Sequence, residues 1–299
     1  MRLVTFTKDG STRTGALRAD EVVDLNATDA SIPAEMVALL EGGEAMLAKA
    51  AQAAQTGQAA ANIQDIKLES PVLRPPKILA VGVNYEAHFL EIPEGTRKKV
   101  GGKLPESPII FNKQSTSATG PYDPVFRPIE SNELDYEAEL GVVIGKTCRR
   151  VSKEQAFDVV AGYTVVNDVT VRDWQRKGPT MTMGKSWNSH CPMGPAIVTK
   201  DEIDDPEDLR VVLTVDGDER QNFNTKDMVF GIAAQIEFLS TAFTLVPGDV
   251  IVTGTSAGVA TFMPGQPYLK EGQSCRVEID NLGYIENKIA LDEGESFIR

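Results

Sequence analysis

Glu137 and Glu139 stand two residues apart in ELDYEAELGVVIG, residues 133–145, where Leu134, Tyr136, Ala138 and Leu140 alternate with acids. That is the two-residue period of an extended strand. On such a strand both glutamates leave one face with their backbones roughly 6.6 to 6.8 Å apart, near enough for their carboxylates to converge on one cation. A third oxygen ligand would complete the protein's half of an octahedron. Asp168 in GYTVVNDVTVRDWQ is the candidate, because it ends an apolar strand, where a carboxylate is costly unless paired or metal-bound. A solvated acidic face of an amphipathic strand accounts for the glutamates equally well. Glu133 and Asp135 are read as wet surface acids.

His88 in NYEAHFLE precedes Glu91 by three residues, so on a helical turn the two share a face. An imidazole held by a carboxylate is suited to taking a proton from water, although the spacing alone fits an ordinary surface histidine as well. His190 and Cys191 in NSHCPMGP lack a partner at useful spacing and are read as structural. Lys113 and Lys185 sit near a strand end and a glycine turn, from which a lysine can reach into a cleft; a solvated lysine is the default. The turn Gly254-Thr255 presents backbone N–H groups that suit a carboxylate. GPTMTMGKS misses the spacing of a phosphate loop and has no strand before it.

Short strands must position these residues: PIIF, DYEAELGVVIG, GYTVVND, AIVT, LRVVLTVDGD, VIVTG, CRVEI and YIENKIAL, with Asp216-Gly217 marking a hairpin. A single long helix is expected over residues 225–243, with Met228, Ile232, Ile236 and Leu239 on one stripe. Strands without regular helices between them indicate an α+β, mostly β, mixed architecture. Before them, LVTF and EVVDL read as two strands flanking a hairpin, followed by a helix broken at Gly42-Gly43. The prolines of SPVLRPP favour an extended connector. The expected division is residues 1–72, a small N-terminal α/β domain, and 73–299, a catalytic domain.

The chain has 299 residues and a net charge of -13, with its basic residues dispersed, which argues against nucleic acid as a partner. Three cysteines without a paired spacing suit a reducing compartment. No segment has the ~18 uninterrupted apolar residues of a membrane helix. The expectation is a cytoplasmic protein that binds neither membrane nor nucleic acid.

Six motifs in one order, AVGVNYEAHFLE, PIIFNKQ, LDYEAELGVVIG, GYTVVNDVTVRDWQ, GKSWNSHCPMGPAIVT and LVPGDVIVTGTSAGVA, resemble the fumarylacetoacetate hydrolase family over about residues 75–280. The resemblance implies a mixed β-roll catalytic domain, a homodimer, and one Mg²⁺ or Mn²⁺ per subunit held by Glu137, Glu139 and Asp168. It makes His88 and Glu91 a water-activating pair on a lid segment and Lys185 a stabiliser of negative charge. Lys113, Arg172, Gln175 and Thr255 would line the substrate site. The implied activity is C–C bond hydrolysis of an acylpyruvate-type 2,4-diketo acid, such as fumarylpyruvate, maleylpyruvate or a diketo-deoxy sugar acid, in aromatic or sugar acid catabolism. Oxaloacetate decarboxylation, oxo-dioate isomerisation and 2-oxo-4-enoate hydration would use the same enolate. A binding module that keeps the fold is the non-enzyme alternative. Trp187 and Asn188 depart from the family pattern, and Arg97, Lys98, Lys99 and Lys103 hint at an anionic distal group.

Overall fold

A computed structural model describes residues 1–299 except Val100, Glu295, Phe297 and Arg299, and for Lys99 it describes the backbone alone. The long sheet runs in the order Ala59–Asn62, Glu21–Asp24, Ser11–Arg18, Arg2–Lys8, Cys191–Thr199, Val160–Asn167, Ala138–Ile144, Val250–Val252, Ile78–Gly82, Ile109–Lys113. Neighbours in it are antiparallel except Val250–Val252 beside Ile78–Gly82. A second sheet of five strands is ordered Asp218–Asn224, Arg210–Val215, Ser274–Ile279, Gly283–Asp292, Val125–Pro128. The mostly β, mixed architecture is therefore as expected.

Every residue of Ala138–Ile144 and of its partner Val160–Asn167 is buried. Central strands covered on both faces read as continuous apolar runs, which explains GVVI after the acids. Leu140, Val142 and Ile144 join the core of the second sheet, while Val143 packs with Val250, Val252 and the N-terminal residues Leu3, Leu39 and Leu40. The sheet is thus a wall between two cores.

Local chemistry moved several boundaries. The acidic strand is interrupted: Leu134–Asp135 pairs with Thr170–Val171, and pairing resumes only at Ala138. The N-terminal hairpin is a three-strand meander, Arg2–Lys8, Ser11–Arg18 and Glu21–Asp24, whose middle strand STRTGALR is too polar to stand out. Arg2–Lys8 pairs in turn with Cys191–Thr199, joining this segment to the long sheet. The helix expected over 225–243 is Ile232–Ala242. Before it Thr225–Asp227 form a separate short 3-10 turn, and Asn84 ties down the bend that follows, accepting from Val229 N–H through its backbone oxygen and from Phe230 N–H through Oδ1. Asp216 and Gly217 have φ of +51° and +86°, the tight hairpin turn their types favour. Among the described residues no helix is long and apolar enough to cross a membrane.

Candidate active site and metal centre

The break in the acidic strand builds the site. Asp168 N–H donates to the Glu137 backbone oxygen at 2.8 Å, and Asn167 Oδ1 accepts from Glu137 N–H at 3.0 Å. These contacts carry the ladder past its last regular pair, Ala138 opposite Asn167, and set Asp168 across from Glu137. Ligand oxygens of Glu137, Glu139 and Asp168 lie within 4.8 Å of one another, all three residues being buried. Three buried carboxylates gathered this closely could converge on one hard divalent cation, for which oxygen donors are the preferred ligands.

The surrounding charges distinguish the three acids. Glu137 accepts from Lys185 Nζ at 2.7 Å and lies 2.7 Å from Arg172 Nη2. Burial pushes its carboxyl up, but Lys185 and Arg172 outweigh burial and hold it down at about 2. Asp168 is bridged by Lys185, at 2.8 Å, and by Lys113. Glu139 has no basic partner among the described residues and takes the Gly254 N–H instead. Burial, then the charges of Asp168 and Glu137, raise its carboxyl well above the usual range. A divalent cation would relieve that repulsion, so the donor set fits such an ion in charge as well as in number.

Gly254 N–H, expected to suit a carboxylate, thus serves one of the protein's own. Gly254 has φ +103°, and a Cβ there would lie 2.6 Å from Asn84 Cβ and 2.9 Å from Val81 O, so no other residue fits the turn. Beside it Thr255 Oγ1 donates to the Ala138 oxygen at 2.9 Å and accepts from Gln221 Nε2 at 2.9 Å. Gln221 Oε1 also takes the Ala138 N–H at 2.9 Å, locking the first residue of the strand. Neither Gln221 nor Asn167 carried a sequence signal, since a buried amide looks like any polar residue in a strand.

His88 and Glu91 lie on one helical turn, Glu86–Glu91, and His88 Nδ1 is 2.6 Å from Glu91 Oε1. The second Glu91 oxygen accepts from Gly258 N–H at 2.9 Å. His88 is buried rather than on the surface and lies close enough to Glu137 for the two to interact electrostatically.

Lys113 donates to Asp168, the Val169 oxygen and the Lys185 oxygen, using all three of its hydrogens inside the protein. Arg172 forks between Asp135 and Glu137 and donates to Gln175 Oε1 at 3.1 Å. His190 and Cys191 are structural as expected: His190 Nε2 bonds the Phe126 oxygen at 2.7 Å, and burial pushes the Cys191 thiol up to about 12. Trp187 stands edge-on to Trp174, ring centres 4.9 Å apart, and with Met183 and Asn188 they line an apolar cleft of about 430 Å³. In the basic cluster Lys98 and Lys103 pair with Glu94 and Glu106 at exposed positions and Arg97 stacks on Phe89, while the Lys99 side chain lies outside the described residues.

One expectation is overturned. Asp135 is fully buried, not a wet surface acid. Its Oδ1 accepts from Tyr136 and Ala260 N–H, both at 2.8 Å, and its Oδ2 from Arg172 Nε at 2.8 Å and Thr261 N–H at 2.9 Å. Glu133 stays half-buried and pairs with Arg176.

Residues 77–290 match the family model described as fumarylacetoacetate (FAA) hydrolase C-terminal. A Xenopus laevis protein named oxaloacetate tautomerase fahd2, mitochondrial, is 44% identical over 297 residues, covering 97% of this chain and 90% of its own length. A Bacillus subtilis protein named oxaloacetate tautomerase YisK is 38% identical, covering 87% of each chain. Among solved structures, maleylpyruvate hydrolase from Sphingobium sp. SYK-6, in complex with manganese(II) and pyruvate, is 32% identical with a TM-score of 0.80, covering 98% of this chain and 100% of its own.

Proposed function

Since the chain belongs to the fumarylacetoacetate hydrolase family, we propose that it is a divalent-metal enzyme that moves a proton on a 2-oxo acid, first of all in keto–enol tautomerisation of oxaloacetate. The observation that carries this reading is a buried three-carboxylate cluster accompanied by an imidazole that a carboxylate holds. The names of the two curated relatives support oxaloacetate in particular. Mg²⁺ or Mn²⁺ held by Glu137, Glu139 and Asp168 would supply Lewis acidity toward the neighbouring oxo and carboxylate oxygens of the substrate.

A carboxylate only accepts, so His88 Nδ1 carries the hydrogen toward Glu91 and Nε2 is the basic nitrogen. In this role Nε2 takes a proton from C3 of the ketone and delivers it to the enolate oxygen; in the reverse direction it takes the enol O–H proton and returns it to C3. The Lys185 ammonium, anchored on Glu137 and Asp168, offsets negative charge that grows on the enolate oxygen. Burial of Lys113, Lys185 and Arg172 keeps water from screening these charges. We propose that Arg172 and Gln175 line the 2-oxo acid site, with Lys113 and Thr255, whose polar atoms bond within the protein, holding its wall from behind.

A second reading, hydrolysis of an acylpyruvate, is favoured by the maleylpyruvate hydrolase likeness. There His88 Nε2 would deprotonate a water that adds to the distal carbonyl, and pyruvate would leave. A turnover panel of oxaloacetate, acylpyruvates and 2-oxo-4-enoates with Mg²⁺ or Mn²⁺ separates the two. No turnover of any 2-oxo acid, or turnover indifferent to EDTA and to Glu139→Gln, would refute both. We further propose a folding boundary near residue 72, a cytoplasmic setting and a homodimer, which limited proteolysis, cell fractionation and light scattering respectively test.

A further inference from the structure

Asp135 lies outside the metal triad, yet both its oxygens are saturated by donors from three separate elements. Two of those donors are the backbone N–H groups of Ala260 and Thr261. The same stretch of chain, 254–261, gives its Gly254 N–H to Glu139 and its Gly258 N–H to Glu91. One loop therefore fixes a triad member, the acid that orients His88, and Asp135. Asp135 in turn holds Arg172 Nε at 2.8 Å, and the other arm of that planar fork reaches Glu137 Oε1 at 2.7 Å.

We propose that Asp135 is a positioning residue: through Arg172 it fixes the rotamer of Glu137 and so presets the cation site. The inference rests on the triad being a divalent-cation site. The guanidinium is held beside Glu137 while Nε is tied to a carboxylate that three backbone N–H donors, of Tyr136, Ala260 and Thr261, already immobilise. Partners of this kind behind a metal ligand typically change metal affinity or activity by about 10 to 100-fold when removed. Asp135→Asn offers an amide nitrogen where the wild-type oxygen takes two hydrogens, from Arg172 and Thr261 or from Tyr136 and Ala260, so at least one arm of the cluster must open.

The test is Mn²⁺ affinity by calorimetry on wild type, D135N, R172K and the double variant, with near-UV circular dichroism as the check of folding. The expected result is Mn²⁺ binding weakened by about 10 to 100-fold in D135N, with the double variant no weaker than the worse single one. Unchanged affinity in folded D135N, or fully additive losses, would overturn the relay. If D135N does not fold, R172K decides: it keeps a cation beside Glu137 but cannot fork to Asp135, so wild-type affinity in R172K would overturn the relay as well. Wild type that fails to bind Mn²⁺ would instead refute the cation site itself.

Discussion

Replacing Glu91 by Gln tests how the imidazole is held. The Glu91 carboxylate accepts on both sides, from His88 Nδ1 at 2.6 Å and from Gly258 N–H at 2.9 Å. A glutamine fills the same volume but has one acceptor and one donor. If its oxygen faces Gly258, its NH₂ points at His88 Nδ1 and makes that nitrogen the acceptor. The ring proton then moves to Nε2, and the base is lost. If the amide turns round, two donors confront each other at Gly258 and the helical turn Glu86–Glu91 loses its tie to the loop. Either way the loss should approach that of a general base, about 10² to 10⁴-fold in kcat, or roughly 2.7 to 5.5 kcal/mol in the barrier. Steady-state enol-to-keto conversion of oxaloacetate, followed in the ultraviolet under saturating Mn²⁺, reads this directly. Mn²⁺ affinity should stay within a few-fold of wild type, because Glu91 is outside the triad. E91Q with kcat within five-fold of wild type would refute the carboxylate-held imidazole.

Saturating Mn²⁺ should raise the Tm of wild type, since a ligand at 100 times its Kd stabilises by about 2.7 kcal/mol, and Glu139→Gln should largely lose the shift; an equal shift in both would count against the triad. His190 is held by burial, with Lys113 adding, at a pKa of about 3 against its ordinary 6.5. Between those values the unfolded chain binds the extra proton, so stability is fully present above about pH 6.5 and declines as pH falls toward 3, by at most about 1.4 kcal/mol per unit. Urea titrations at pH 6.5 and 5 should show this loss in wild type and a smaller one in His190→Gln; equal losses would refute it. Burial raises the Cys191 and Cys275 thiols to about 12, so iodoacetamide at pH 8 should leave both unlabelled until the protein is unfolded. Rapid labelling of Cys191 in the folded protein would contradict the structure.

The triad was legible because its signals are local. Glu137 and Glu139 reach one cluster despite the break between Asp135 and Ala138, Asp168 follows an apolar run, and the helical spacing of His88 and Glu91 survives intact. Asp135 was misread for the opposite reason. Its neighbours in sequence suggest an open face, whereas the groups that bury it, Arg172 and the N–H groups of Ala260 and Thr261, come from elements 37 to 126 residues away. The joining of Arg2–Lys8 to Cys191–Thr199 is equally long-range: register there depends on two chains of residues that carry no mark of one another. Helix Ile232–Ala242 began late because Asn84, far upstream, takes the Val229 and Phe230 N–H groups and holds those residues in a bend. Periodicity reports what a segment would do alone, and tertiary hydrogen bonds decide where it stops.

The most direct test of the central claim is the rate of oxaloacetate enol-to-keto conversion by wild type and His88→Ala, each with Mn²⁺ and after EDTA treatment. The account predicts acceleration by metal-loaded wild type that is abolished by EDTA and reduced about 10² to 10⁴-fold in H88A. Undiminished conversion by H88A, or by the EDTA-treated wild type, would contradict it.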